Sequence, residues 1–155
     1  MAKNDGYRIW INGELVAEHE ATVSVFDSGF VLGDGVWEGV RVAGGRPAFL
    51  DAHLDRLTEG AKALFMAEMP ERSELVGAVQ HVIDGNGLVD DAHLRIMLTR
   101  GVRREPYQDP RLVDGGPTLV IIPGHHPVTE TALTTPLNLF TVHVRRGAPD
   151  VQDPG

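Results

Sequence analysis

Arginines form the group of residues in this chain whose types and spacing best suit the binding of a small anion. Arg100, Arg103 and Arg104 fall within five positions, directly after a strand-like segment. Planar guanidinium groups bind a carboxylate or a phosphate through paired hydrogen bonds. The same cluster would also neutralise neighbouring acids, because the chain carries a formal net charge of -8. The residues alone leave both interpretations open.

A second candidate site lies at the start of a predicted helix. Asp51, His53 and Asp55 occupy every second position there, which spreads their side chains over about 200° of a helix. We therefore do not expect these three side chains to bind one metal ion. Arg56 precedes Glu59 by three positions, and taken alone these residues favour a surface ion pair of small stabilising effect.

Glycines at positions 29, 33, 35 and 39 only superficially suggest a phosphate-binding loop. No Gly-Lys-Ser/Thr follows them, and the next segment has the pattern of a strand, whereas a phosphate cradle leads into a helix N-terminus. We interpret Gly33 and Gly35 as a tight turn before that strand. Gly39 lies inside the strand, where a glycine often marks the close approach of a ligand or of another backbone.

Residues for covalent catalysis are scarce. The chain has no cysteine, which excludes disulfides and thiol nucleophiles, and none of its three serines lies in a nucleophile-elbow pattern. The lysines are Lys3, near the start of the chain, and Lys62, on the polar side of a predicted helix. His125 and His126 are adjacent and are interpreted as solvated loop residues.

Hairpin-linked strands, interrupted by a pair of helices, must position these groups. Helices are predicted from Asp51 to about residue 65 and from Ser73 to Asp84. Strands are predicted at residues 7–12, 22–26, 36–42, 47–50, 93–99, 118–123 and 137–145, with a tight turn at Asn12-Gly13. Because regular strand–helix alternation is missing, the fold class is α+β with a mainly antiparallel sheet.

The segment 124–136 contains prolines and several threonines, which is typical of a linker between domains. We expect an N-terminal domain at 1–123 and the start of a C-terminal domain at 137–155. The sequence contains no further predicted strand of the second domain with which the strand at 137–145 could pair. This pattern indicates that the second domain is truncated.

Composition and charge limit the kinds of partner that this protein is expected to bind. The chain has no basic run, so we expect no nucleic-acid partner. No apolar run reaches the roughly 18 residues of a membrane span, and the first residues lack the apolar core of a signal peptide. We therefore expect a cytoplasmic protein that acts on small molecules and has no membrane partner.

Four segments together resemble class IV aminotransferases, the fold-type IV enzymes that include the branched-chain and D-amino-acid aminotransferases. The segments "IWINGELV", "SVFDSGFVLGDGVWEGVRV", "FLDAHLDRL" and "LTRGV" resemble the family's opening hairpin, central signature, cofactor-contacting helix and strand-end arginine segment. The resemblance implies a small N-terminal α/β domain joined to a larger pseudo-barrel domain. It also implies pyridoxal 5'-phosphate between the two domains and a homodimer.

The resemblance implies roles for individual residues. Arg56 matches the arginine that binds the cofactor phosphate, which favours that role over a surface ion pair. Trp37 and Gly39 match positions that line the substrate pocket. Arg95, in "HLRIML", matches a pocket-side arginine of branched-chain members.

Two departures from the family pattern bear on specificity. Trp37 stands where many members carry tyrosine or phenylalanine, so its larger ring should narrow the pocket. After "TRG" the chain has "VRREPY", where D-amino-acid aminotransferases have Arg-x-His. We therefore do not expect their usual carboxylate clamp, and Arg103 or Arg104 is the candidate for binding the substrate carboxylate.

The implied reaction moves an amino group between an amino acid (branched-chain, D-amino acid or amine) and a 2-oxo acid. Neither Lys3 nor Lys62 matches the Schiff-base lysine, so this catalytic residue is expected just after Gly155. Two alternatives stay open. One is a lyase of the 4-amino-4-deoxychorismate type, which eliminates pyruvate, and the other is a non-catalytic module that binds a ligand or partner.

Overall fold

The computed structural model describes residues 6–129 and 133–144. The strands and helices in these ranges are, in chain order, β1 (Arg8–Ile11), β2 (Glu14–Ala17), α1 (Ser28–Leu32), β3 (Gly35–Ala43), β4 (Arg46–Pro47), α2 (Leu50–Ala63), α3 (Arg72–Gly85), β5 (Ala92–Thr99) and β6 (Thr118–His125). Short 3-10 turns lie at Glu18–Glu20 and Pro110–Leu112.

The six strands form one sheet in the order β2-β1-β6-β5-β3-β4, and every neighbouring pair is antiparallel. The central strand β5 pairs along its whole length with β3 on one side and with β6 on the other. This sheet confirms the predicted α+β fold. It also confirms the turn at Asn12-Gly13, where both residues adopt positive φ (45° and 103°), as the connection between β1 and β2 requires.

One face of the sheet is buried by α2 and α3. Alternate residues of each strand point toward the helices, as the twofold period of a strand dictates. The buried side chains on this face include Val40, Val42, Leu94, Ile96, Leu98 and Ile121. Burial of this many large aliphatic side chains, at about 1.5–3 kcal/mol each, supplies the main driving force for folding.

Both long helices match the predicted segments within one or two residues. In α2, Leu54, Leu57 and Ala61 recur at helical spacing and are buried. Helix α3 begins after a capping box, in which Glu71 and Glu74 each bond the other's backbone N–H. Among the described residues, no helix is long and apolar enough to cross a membrane.

The opposite face of the sheet is open. It carries the other alternate residues of β3 and β5, among them Trp37, Gly39, His93 and Arg95. Trp37 is 57% exposed, and the Phe30 side chain of nearby α1 is 72% exposed. The sheet therefore presents a mixed apolar and basic surface on this side.

Several predicted strands differ from the structure. Residues 22–26 form no strand, because the Ser24 carbonyl and hydroxyl accept from the backbone N–H groups of Asp27 and Phe26 and close a turn. The predicted strand at 47–50 is shorter, since β4 ends at Pro47 and α2 begins at Leu50. Strand β6, by contrast, runs two residues into the predicted linker.

The prediction of a strand at 137–145 is wrong for residues 137–144, which have no regular structure. A strand requires a hydrogen-bonded neighbour, and no other described strand lies beside this segment. Its apolar side chains Leu137, Leu139 and Phe140 are at least 85% exposed. Arg145 lies outside the described residues, and the domain boundaries stay predictions.

Candidate functional site

A buried carboxylate on β3 organises the first part of the candidate site. Glu38 is only 4% exposed and points toward α2. Its Oε1 accepts a hydrogen bond from Nε of Arg56 at 2.6 Å, and its Oε2 accepts one from Nη2 of Arg56 at 2.5 Å. Nδ1 of His53 lies 2.8 Å from the same Oε2. His53 and Arg56 are three residues apart on α2 and therefore project from one face of that helix.

Arg56 thus pairs with Glu38, and the ion pair with Glu59 that helix spacing alone favours is absent from the described contacts. The reason is geometric, because a buried carboxylate offers two oxygens to the guanidinium side by side, whereas Glu59 lies along the exposed surface of α2. The Arg56 side chain remains 70% exposed. One edge of its guanidinium is therefore bound while the rest faces solvent.

The pKa of Glu38 reflects these contacts. Burial alone would raise the pKa of this carboxyl group, but the hydrogen bonds and positive charges of Arg56 and His53 outweigh burial and lower it below its ordinary value. Glu38 is therefore ionised at neutral pH. Since an ionised carboxylate can only accept hydrogen bonds, Nδ1 of His53 carries the hydrogen between them.

This group lies beside an unpaired stretch of strand edge. On its outer side β3 pairs with β4 only through Val42 and Ala43. Residues 35–41, which include Glu38, have no strand neighbour on that side in the described part of the chain. Exposed strand edges present free N–H and C=O groups and are normally covered. A ligand or a further element of structure would fit against this edge.

The second part of the candidate site lies on the open face of the sheet. Trp37 and Arg95 project from adjacent strands, and the guanidinium carbon of Arg95 lies 4.3 Å from the centroid of the Trp37 ring. A cavity of about 440 Å³ lies beside Trp37, bounded by Phe30, Met97 and Val120. A cavity of this size accommodates a small organic molecule.

Gly39 also lies on the open face, directly opposite Arg95 in the β3–β5 register. A Cβ atom at position 39 would lie 2.8 Å from Cε1 and 2.9 Å from Nε2 of His93. The sequence predicts that a ligand or another backbone approaches Gly39, but among the described residues the approaching group is a side chain, the imidazole of His93. That ring also makes an edge contact with His126, at 5.7 Å between ring centroids.

The arginine cluster after β5 mainly neutralises neighbouring acids, as one of the two initial interpretations held. Arg100 donates to both carboxylate oxygens of Asp34, at 2.7 and 3.0 Å, and to the carbonyls of Leu64 and Phe65 at the end of α2. Arg103 approaches the same carboxylate at 3.4 Å. Arg100 therefore joins the turn before β3, through Asp34, to the end of α2, and Arg103 adds a contact from the loop after β5 to the same carboxylate.

Arg103 and Arg104 differ in exposure. Arg103 is 1% exposed, and its Nη1 donates to the carbonyls of Tyr107 and Asp109 at 2.7 and 2.9 Å. Its guanidinium therefore braces the loop that follows β5. Arg104 is 57% exposed and lies 3.5 Å from Asp114, which leaves it accessible to a dissolved anion.

Buried polar contacts hold the segment before β3 in place. Asp27 is buried, and its carboxylate accepts from the backbone N–H of Gly29 at 2.8 Å and from the hydroxyl of Thr99 at 3.0 Å. The hydroxyl of Ser28 donates to the carbonyl of Gly101 at 2.6 Å. These contacts fix α1, and with it Phe30, against the end of β5.

The structure brings Trp37, Gly39 and Arg95 together on one face and places Arg56 beside Glu38 near the β3 edge. Glu38 itself was missed by sequence reasoning. A signal for it exists, because Glu38 interrupts the alternating run of Val36, Val40 and Val42 at a core-facing position. A charged residue at such a position is rarely buried without a partner.

Comparison with known proteins agrees with this architecture. A model of the amino-transferase class IV family matches residues 35–152. The chain is 40% identical over 113 residues to branched-chain-amino-acid aminotransferase-like protein 2 of Arabidopsis thaliana, covering 73% of this chain and 20% of that protein. It is 37% identical over 147 residues to a Methanocaldococcus jannaschii protein named for branched-chain-amino-acid aminotransferase activity, covering 95% of this chain and 49% of that protein.

Among solved structures, the branched-chain aminotransferase of Thermoproteus uzoniensis with norvaline superposes with a TM-score of 0.65 at 27% identity, covering 76% of this chain and 40% of that one. The chain thus spans less than half the length of each of these relatives. The family match includes β3, with Glu38 and Trp37, and α2, with Arg56. This chain belongs to the class IV aminotransferase family.

Proposed function

We propose that this chain is the N-terminal part of a pyridoxal phosphate-dependent transaminase that moves an amino group between an amino acid and a 2-oxo acid. The observation that supports the proposal is the way in which Arg56 is paired and exposed. Its guanidinium is fixed on one edge by the buried carboxylate of Glu38, while its side chain is 70% exposed beside an unpaired strand edge. An arginine held in this way is suited to bind a phosphate group.

We assign the cofactor phosphate to Arg56. When bound, pyridoxal phosphate supplies the carbonyl group that accepts the amino group and the ring that withdraws electrons from the reacting carbon. Arg56 would bind and orient it from the phosphate end. The Schiff-base lysine would come from residues after Gly155, in a C-terminal domain that starts at 137–155 and is joined through the linker 124–136.

We assign the open face of the sheet to the amino-acid and 2-oxo-acid substrates. Trp37 would bound the side-chain pocket, and Gly39 would lie beside it, in contact with the imidazole of His93. Arg95 would attract a substrate carboxylate, because its exposed guanidinium has no ion pair among the described residues and lies over Trp37. Of the two arginines considered for the carboxylate, exposure supports Arg104, whereas burial favours a bracing role for Arg103.

We also propose that the protein acts as a homodimer in the cytoplasm. Large apolar side chains on and beside the open face support an interface, because exposed apolar patches mark surfaces that bind another protein chain. Phe30, Trp37 and Val23 are each at least 49% exposed. Sedimentation of the purified protein tests the dimer.

The test of function uses protein made from the complete reading frame. We expect a visible absorbance band after pyridoxal phosphate is added, loss of that band on borohydride treatment, and formation of a new amino acid from a 2-oxo acid. Arg56→Met should weaken cofactor binding by about tenfold or more, as loss of a charged hydrogen-bond partner predicts. The control is Arg72→Met, since Arg72 is a surface arginine that pairs with Asp51 and Asp55 at the ends of the two helices.

The alternatives give different results. Release of pyruvate without transfer of the amino group would identify a lyase. Absence of cofactor binding in the wild-type protein would contradict the proposal and support a non-catalytic module. Equal effects of the Arg56 and Arg72 substitutions would contradict the assignment of Arg56.

A further inference from the structure

We propose that Glu38 is a positioning residue that holds the guanidinium of Arg56 in the orientation required by an anionic phosphate group. This inference rests on the proposed role of Arg56 and extends it to a residue that would not touch the cofactor. In this pair Arg56 binds the phosphate, and Glu38 sets the direction of the free N–H groups of Arg56.

Burial of Glu38 supports this role. A carboxylate that is 4% exposed, on the face of β3 that otherwise carries valines, is costly unless it is paired and hydrogen-bonded. Replacement of a buried ion pair by apolar side chains is often neutral or stabilising. Packing of the core therefore does not require a carboxylate at this position. The contact of Glu38 with an exposed arginine gives a reason for one.

Glu38 occupies only one edge of the Arg56 guanidinium. An arginine side chain has five N–H donors. The carboxylate of Glu38 takes the Nε hydrogen and one Nη2 hydrogen, as the distances of 2.6 and 2.5 Å indicate. Both Nη1 hydrogens and the second Nη2 hydrogen remain, and no hydrogen bond from Nη1 is made within the described residues. The free edge therefore presents a fork of donors that matches two oxygens of a phosphate.

Glu38 is itself held in place by a second side chain of α2. His53 donates from Nδ1 to Oε2 at 2.8 Å, from one turn earlier on the same helix. Three hydrogen bonds from two side chains of α2 therefore set the plane of the carboxylate. A long arginine side chain loses much rotamer freedom when it binds a ligand, and holding it beforehand reduces that loss.

Charge and orientation make opposite predictions for the removal of Glu38. The negative charge of Glu38 offsets the positive charge of Arg56. Electrostatics alone would therefore make a phosphate bind more tightly when Glu38 is neutralised. If Glu38 positions Arg56, neutralising it should weaken binding instead. The sign of the change therefore distinguishes the two explanations.

The experiment is calorimetric titration of the protein from the complete reading frame with pyridoxal phosphate and, separately, with pyridoxal, which lacks the phosphate. The variants are Glu38→Gln, Arg56→Met and the double substitution. We expect Glu38→Gln to weaken binding of pyridoxal phosphate by about tenfold, as for other groups that orient a ligand-binding side chain, and to leave pyridoxal binding unchanged. In the Arg56→Met background, Glu38→Gln should have no further effect.

Glu38→Asp provides a second variant if Glu38→Gln does not fold, as judged by thermal unfolding. It keeps the charge but withdraws the carboxylate by one methylene, so it should weaken binding of the phosphorylated ligand in the same direction. Unchanged or tighter binding by a folded Glu38 variant, with weaker binding by Arg56→Met, would overturn the role of Glu38 alone. Equal weakening for both ligands would also overturn it. A wild-type protein that binds both ligands equally would instead overturn the proposed function of Arg56.

Discussion

The guanidinium of Arg95 lies over the indole ring of Trp37, with 4.3 Å between the guanidinium carbon and the ring centroid. The two side chains come from neighbouring strands, since Trp37 is opposite Met97 and Arg95 is opposite Gly39 in the register. They are therefore diagonal neighbours on the open face of the sheet. The indole ring therefore holds the positively charged guanidinium of Arg95 on the open face, where the substrate is proposed to bind.

A double-mutant cycle tests this contact. We expect Trp37→Leu and Arg95→Met to show a coupling free energy of about 0.5–1 kcal/mol in urea unfolding, the range for exposed cation–π pairs. Trp37→Phe should retain part of the coupling, because phenylalanine keeps an aromatic face. Purely additive effects would mean that the ring and the guanidinium do not stabilise each other.

Gly39→Ala tests the packing between β3 and β5. The new Cβ would lie 2.8 Å from Cε1 of His93, so the imidazole must move. We expect a loss of about 1–3 kcal/mol in the free energy of unfolding, the usual effect of overpacking. In a His93→Ser background the same substitution should be neutral or stabilising, because alanine is more favourable than glycine inside a strand by roughly 0.5–1 kcal/mol. A similar loss in both backgrounds would contradict the proposed steric cause.

The sequence was most informative where burial imposes a period. Helices α2 and α3 were predicted within one or two residues of their ends, because Leu54, Leu57 and Ala61, among others, have to meet the sheet. The segment 22–26 alternates in the same way but forms a turn, since Ser24 satisfies nearby backbone N–H groups. Alternation indicates a strand only when another strand is available to pair with it.

The candidate site was predictable only in part, for a related reason. The family resemblance implies roles for Arg56, Trp37 and Arg95, but local spacing favours Glu59 as the partner of Arg56. Its actual partner, Glu38, is 18 residues away in sequence. Such a pair depends on how α2 lies on β3, which no local pattern determines. The exposure that separates Arg103 from Arg104 likewise depends on the path of the loop that follows β5.

Arg103 and Arg104 provide a matched pair for testing how burial of an arginine affects stability. Arg103→Met should lower the free energy of unfolding by about 3 kcal/mol, because it leaves the carbonyls of Tyr107 and Asp109 without their buried donor and removes one of the two arginines beside the Asp34 carboxylate. Arg104→Met should change it by less than about 1 kcal/mol, as for other exposed ion pairs. Urea unfolding measures both values, and equal losses would contradict the bracing role of Arg103.

His93 should make stability depend on pH. Burial lowers the pKa of its imidazole below the ordinary value, and the positive charges of His126, Arg95, Arg41 and His53 lower it further. The unfolded chain therefore takes up a proton at His93 before the folded chain does. By linkage, the free energy of unfolding should fall as the pH drops below the ordinary histidine pKa of about 6.5, until the folded protein is protonated too.

The test compares urea unfolding of the wild-type protein and His93→Gln at about pH 8 and about pH 5. At the higher pH, His93 is neutral in both states, so any difference between the two proteins reports packing against Gly39 and His126. On acidification the wild type should lose more stability than the variant, since glutamine takes up no proton. Equal losses would mean that protonation of His93 is no harder in the folded protein than in the unfolded chain, contrary to its burial among positive groups.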